Sequence, residues 1–197
     1  MSTTTKIDRR IARTKEAINK AFLELFSEKE LEQITINDIS ERANVNRGTI
    51  YLHYTDKYDL LNSCIDDHLS KMFLSCAPNE FIQDKIDLIS ELKPVFTYFE
   101  ENFLFFSSML SNNRASVFRE RMLQIVAANV KEKIDKQEIT QGLDMELITR
   151  FMASAFVGTV EWWILNNMPH SPQIMAEQVW RLFEKNDIYK VGSSAPT

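Results

Sequence analysis

The run from Gln33 to Leu61, QITINDISERANVNRGTIYLHYTDKYDLL, decides how the chain folds. Three helix starts can be read in it from residues whose side chains satisfy unpaired backbone N–H groups. Thr35 precedes Ile36 with Asp38 in the first turn, Asn46 precedes Arg47, and Asp56 with Asp59 precedes a run through Leu60, Leu61 and Ile65. Between the first two lies Ala43-Asn44-Val45, and asparagine tolerates the left-handed backbone of a tight turn. The spacing predicts two short helices of roughly eight to ten residues, meeting at a corner, then a long one: a helix-turn-helix. Ile36, Ile39, Ala43, Val45 and Ile50 supply its inner side. Arg47, Thr49, Tyr51 and His53 are left for the outer face, with Gly48 offering no Cβ. Long hydrogen-bonding side chains at the start of such a helix suit base edges and phosphates of a DNA groove.

Upstream, Ile11, Ile18, Ala21, Phe22, Leu25 and Phe26 form one apolar stripe, predicting an amphipathic helix over Arg9 to Lys29. In the whole chain of 197 residues, 44% are hydrophobic and glycine and proline number only four and five, which favours an all-α fold with a packed core. The net charge of -5 conceals a gradient. Residues 1 to 20 hold six basic side chains (Lys6, Arg9, Arg10, Arg13, Lys15, Lys20) against Asp8 and Glu16, whereas residues 61 to 197 hold 13 basic and 18 acidic ones. A locally basic end points toward a polyanion there. No secretory signal and no apolar run of about 18 residues is present, so a cytoplasmic protein with no membrane span is expected, Cys64 and Cys76 both being free thiols.

RTKEAINKAFLELF followed by ITINDISERANVNRGTIYLHYTDKYDLL resembles the N-terminal domain of the TetR family of bacterial transcriptional regulators, with its T-[IV]-x-D-I helix start, G-T-[FIL]-Y-x-[HY]-[FY] reading helix and following lysine. The resemblance covers about residues 9 to 62. Glu30-Leu31 and Asn44 depart from the family's usual glycines. It implies a three-helix DNA-binding domain over 1–62, a larger helical effector-binding and dimerisation domain over 63–190, and a disordered tail at 191–197. It also implies DNA contacts by Thr14, Thr35, Asn46, Arg47, Gly48, Thr49, Tyr51, His53, Tyr54 and Lys57. Lys57, at a helix start, is expected to clamp phosphate, and Arg47 to read guanine. The plainer reading makes Tyr51 and Tyr54 core aromatics and Arg47 a solvated charge.

In the second domain a helix to about Cys76 is expected to break at Pro78-Asn79, another over Ile82–Leu92 to stop before Pro94, and a third to run over Val95–Leu110. Further helices are expected near Val117–Lys136, Met145–Asn167 and Pro172–Lys185. The resemblance implies a homodimer through the last two long helices, and Ala155 and Gly158 are small enough for close helix approach. It also implies a pocket for a small-molecule effector. Phe99, Phe103, Phe106, Met109, Met122, Phe151, Met152, Trp162 and Trp163 are candidates to line it, with Glu161 as a carboxylate for a cationic ligand, although plain core packing explains any one of the apolar ones.

An enzyme is disfavoured: His53, His68 and His170 lie far apart, and neither a nucleophile elbow nor a phosphate-cradling loop is present. Cys64 and His68 stand four apart on a helix with Asp67 nearby and could ligate a metal, but two such residues on one turn are common by chance, so no metal site is expected, and no cofactor. A helical interaction module that keeps the motif only as scaffold would not need Gly48 or the outer-face side chains. The expectation is a homodimeric, ligand-responsive repressor of a palindromic double-stranded operator; the alternatives are control by a protein partner and activation.

Overall fold

In the computed structural model, residues 3–75, 88–111, 115–137 and 144–185 are described, and all regular structure among them is helical. Two compact units part between His68 and Leu69. The first contains α1 (Thr3–Glu28), a 3-10 turn (Leu31–Gln33), α2 (Ile36–Arg42), α3 (Arg47–Tyr51) and the start of α4 (Lys57–Ser75). Its core is Ile18, Phe22, Leu25 and Phe26 from α1, Leu31 and Ile34 from the connection, Ile39 and Ile50 from the two short helices, and Leu60 and Ile65 from α4.

All three expected caps form. Thr35 and Asp38 close a capping box: the Thr35 hydroxyl accepts from the Asp38 N–H, and Asp38 Oδ2 accepts from the Thr35 N–H. Asn46 Oδ1 accepts from the Gly48 N–H at 2.8 Å, and Asp56 Oδ1 from the N–H groups of Tyr58 and Asp59. Asn44 takes the left-handed conformation at φ 53. The two short helices have seven and five residues, shorter than eight to ten, because the Asn44 corner and the turn at Leu52–His53 cut them off. In the other direction, α1 begins six residues before Arg9.

In the second unit, α5 (Leu88–Glu101) packs on α9 (Pro172–Lys185) and α6 (Phe103–Ser111), α6 packs on α7 (Ala115–Gln137) and α8 (Met145–Leu165), and α7 packs on α8. The phenylalanine-rich stretch supplies the glue. Phe96 lies 5.4 Å from Trp163 and 5.9 Å from Phe156, Phe99 lies 4.6 Å from Phe106, and Phe105 meets Phe118 edge-on at 5.8 Å. The buried Trp163 indole N–H donates to the His170 carbonyl at 2.9 Å.

Two helix boundaries differ from expectation. Pro94 lies inside α5 rather than after a helix end. Proline cannot donate the hydrogen bond to the carbonyl four residues back, here Ser90, but the helix continues through it because Val95, Phe96 and Phe99 hold the next turns in the core. The stretch expected as one helix over Val95–Leu110 divides at Asn102, whose side-chain amide donates to the Tyr98 carbonyl. The expected break at Pro78-Asn79, residues 82–87 of the next expected helix, and the tail at 191–197 lie outside the described residues.

The capping box has a pH signature. The Lys29 ammonium at 2.8 Å, followed by the Thr35 backbone and side chain, pulls the Asp38 carboxyl from 3.8 down to about 2. A folded-state value below the unfolded one means that the unfolded chain binds the proton first on acidification. The stabilisation is therefore complete above the unfolded value and is lost as pH falls from about 4 to about 2. Asp38→Asn is expected to cost about 1 kcal/mol at pH 7 and to flatten the acid limb of stability in that window. Urea unfolding at both pH extremes checks this.

Candidate nucleic-acid interface

α3 presents two faces. Ile50 points inward and is fully buried. Arg47, Gly48, Tyr51 and Leu52, at helical spacings of one, four and five, are exposed. Tyr51 is 51% and Leu52 81% exposed, so Tyr51 is not a core aromatic. Leu52 carries no sequence signal for an interface; an exposed leucine at the end of this stripe suits a thymine methyl. The glycine has a local reason, since a Cβ at Gly48 would lie 3.3 Å from Asn46 Oδ1, the atom that caps the helix. Thr49 and His53 are half-buried at the edges, His53 with its ring 6.3 Å from that of Tyr54.

Other expected contacts are otherwise engaged. Tyr54 is a core residue, 4% exposed, and its hydroxyl donates to Asn19 Oδ1 of α1 at 3.1 Å. Burial pushes its ionisation up to about 12. The Thr14 hydroxyl donates to the Arg10 carbonyl, so its proton is not free for a phosphate oxygen. Thr35 differs: its oxygen accepts in the capping box, which leaves the hydroxyl proton available.

Lys57 requires a correction. Its ammonium donates to the carbonyls of Leu31, Glu32 and Ile34 at 2.8, 2.9 and 2.9 Å, using all three protons. The helix start beside it is already occupied by the Asp56 carboxylate, whose negative charge repels phosphate. In this DNA-free structure the Lys57 ammonium thus acts as a structural clasp on backbone carbonyls. Nothing in the sequence signals this, because the acceptors are backbone atoms 23 to 26 positions away.

The cations of this unit fall into two groups. Lys29 pairs with Asp38, Arg42 with Glu28 at 2.8 Å and Glu24 at 3.6 Å, and Lys57 caps carbonyls. Arg9, Arg10, Arg13, Lys20 and Arg47 are exposed and form no ion pair among the described residues. Lys15 is exposed as well, with its ammonium 6.0 Å from the Tyr54 ring centroid.

The ten candidate residues for an effector pocket divide between core and surface. Phe99, Phe106, Met109, Met122, Met152 and Trp163 are packed core, Phe103 is half-buried, and Phe151 and Trp162 are 56% and 49% exposed. Glu161 holds the Arg119 guanidinium through both carboxylate oxygens, which satisfies the charge assigned to a cationic ligand. A groove of about 610 Å³ lies elsewhere, between α7 and α8, with Leu123, Ala127, Met145 and Ala153 on its apolar part and Lys131 and Arg150 among its charged ones. Thr149 also lines it, and its hydroxyl is buried without a hydrogen-bond partner among the described residues. Cys64 is buried and in no disulfide, and among the described residues no three His, Cys, Asp or Glu side chains come together as a metal site. No described helix is long and apolar enough to cross a membrane.

Comparison with known proteins agrees with this architecture. Residues 18–64 match the model for bacterial regulatory proteins of the tetR family, and residues 86–185 match the transcriptional regulator C-terminal region named TetR_C_8. An uncharacterised HTH-type transcriptional regulator of Bacillus subtilis, YxbF, is 28% identical over 200 residues, covering 94% of this chain and 48% of its own length. This chain therefore spans about half of that relative. The probable acrEF/envCD operon repressor of Escherichia coli is 23% identical over 174 residues, 78% of this chain and 77% of its own. Among solved structures, FadR of Bacillus subtilis in complex with stearoyl-CoA superposes with a TM-score of 0.62 at 22% identity, covering 85% of this chain and 96% of its own.

The clasp and the exposed arginine separate in a stability measurement. Lys57→Ala, which leaves three carbonyls without their donor, is expected to cost the N-terminal unit about 1–3 kcal/mol, whereas Arg47→Ala should change stability by less than about 0.5 kcal/mol. Denaturant unfolding of both variants checks this. With one TetR model matched by the helix-turn-helix unit and another by half of the chain, the protein belongs to the TetR family of DNA-binding transcriptional regulators.

Proposed function

We propose that the protein acts as a homodimer that reads a two-fold symmetric operator, one half-site per α3, and represses transcription from it. The observation that carries the reading is the state of Arg47: exposed, without an ion pair among the described residues, and placed at the first position of a helix whose opposite face is locked by Ile50. Its planar fork matches the O6 and N7 acceptors of guanine. Tyr51 and Leu52 continue the reading face, while Thr35, Thr49 and His53 flank it. Regulators of this family bind DNA operators, often as dimers, and a dimer places two reading helices about 34–36 Å apart, one turn of the duplex.

The dimer assignment draws support from α8 and α9. Leu147, Phe151, Trp162 and Leu165 of α8 are exposed, as are Ile174 and Leu182 of α9. Ala155 and Gly158 lie within the α8 stripe, and a Cβ built on Gly158 meets nothing within 4 Å, leaving room for a closely approaching helix. Such a surface in water is costly unless covered. Phe151 and Trp162 thereby move from a pocket lining to an interface.

Repression finds support in the similarity to the probable operon repressor of Escherichia coli. Control by a small molecule finds support in the groove between α7 and α8, where the Thr149 hydroxyl lacks a partner that a bound polar group would supply.

Two outcomes test the reading. Arg47→Ala is expected to weaken operator binding by about 1–3 kcal/mol and to relax preference at one base pair of each half-site, measured on duplexes carrying every base at each position; unchanged preference at every position would remove Arg47 as a reader. Phe151→Glu places a charge in the proposed interface and is expected to shift the protein to monomer in analytical ultracentrifugation, whereas a dimer undisturbed by it would locate the interface elsewhere.

A further inference from the structure

Between Arg9 and Arg13, α1 buries no side chain. From Arg9 onward the first buried residue of the helix is Ile18, and Arg9 to Arg13 are all exposed, including Ile11 at 41%. A helical stretch without an apolar face against a core gains little from packing. Its sequence also works against it: Arg9 and Arg13 are like charges four positions apart, which repel on a helix surface, and the first turn has no acidic residue. Arg9, Arg10 and Arg13 form no ion pair among the described residues, in the same unit where Lys29 and Arg42 have theirs. The stretch precedes residues 18–64, the part matched by the family's N-terminal model.

Its position is tied to the reading helix. Asn19 accepts the hydroxyl of Tyr54, and Lys15 stands 6.0 Å from the same ring, three residues beyond the end of α3. From Lys15 to Arg9 the helix rises about 9 Å. The basic stretch thus leaves the core from beside the C-terminal end of α3. Three guanidiniums without ion pairs on a repelling helix lose their mutual repulsion against one kind of surface, a line of phosphates.

We propose that Arg9, Arg10 and Arg13 form a second, sequence-independent DNA contact, holding backbone phosphates of the duplex that flank the base pairs read by α3. This rests on the operator reading above. The contact adds affinity without adding sequence information, since phosphates are the same at every position.

The test uses the full-length protein and an operator obtained by selection from randomised duplex, with affinity followed against salt. Each phosphate that a removed guanidinium no longer neutralises lowers the slope of log affinity against log salt by about 0.9. The triple variant Arg9→Ala, Arg10→Ala, Arg13→Ala is therefore expected to have a slope shallower by about two to three units per subunit, with the same base preference as the parent. Trimming the flanks of the duplex is expected to lower the parent's slope and to leave that of the variant unchanged. The Arg→Lys triple variant, which keeps the charge, should keep the parent's slope; if both triple variants lose it alike while circular dichroism shows an altered fold, the contact is overturned in favour of a structural role. Parent and alanine variant with equal slopes on a sequence-specific site would also overturn the contact and leave the operator reading intact. Failure of the parent to select any sequence would instead sink the operator reading, and this contact with it.

Discussion

Three hydrogen bonds from a single ammonium hold the reading head together. Lys57, the first residue of α4, donates to the carbonyls of Leu31, Glu32 and Ile34, and so ties α4 to the connection that precedes α2. Everything between those points, α2, the Asn44 corner and α3, is a closed loop whose ends are clasped. Within it, side-chain caps from Thr35, Asp38 and Asn46 stabilise helices too short to persist alone, and Ile39 and Ile50 anchor them to the core. A five-residue helix can offer an arginine at a defined position only because its surroundings are fixed in this way.

The cations of the first unit divide by partner. The structural cations, Lys29, Arg42 and Lys57, are each consumed by a carboxylate or by carbonyls. Of the exposed cations that form no ion pair among the described residues of this unit, Arg9, Arg10, Arg13, Lys15 and Lys20 belong to α1 and Arg47 to α3. Net charge hides this division, since ion pairs and free ions enter a sum with equal weight, whereas only unpaired cations release counterions on binding a polyanion.

The helix-turn-helix was legible because its determinants are local. Caps act over two or three residues, the corner depends on one asparagine, and the inner face repeats at helical spacing. The exposure of Arg47, Gly48 and Tyr51 was legible for the same reason, whereas Thr49 and His53, expected on the same face, are half-buried and Leu52 had no signal to place it at the surface. What escaped were interactions across long stretches of chain: the carbonyls that hold Lys57, the Asn19 that holds Tyr54, and the Arg119 that occupies Glu161. A polar side chain on a helix reads as available until its distant partner is known. For the effector candidates, aromatic richness at 96–109 signals burial without saying whether the space is filled. Phe99 and Phe106 fill it with each other, and the groove instead opens where Ala127 and Ala153 leave room between α7 and α8. Pro94 shows the opposite error, a local helix-stop signal overridden by the buried residues that follow it.

In the proposed operator reading, the exposed Arg47 of each clasped reading head, with Tyr51 and Leu52 beside it, selects the DNA sequence. The most direct measurement of this is selection of the purified protein's preferred duplexes from a randomised pool at two salt concentrations, followed by sequencing. The expected result is a two-fold symmetric site with a guanine held in each half and half-sites about 10 base pairs apart, retained at both concentrations but more weakly at the higher. Retention without sequence preference would contradict it, and would leave the exposed face of α3 without a reading role.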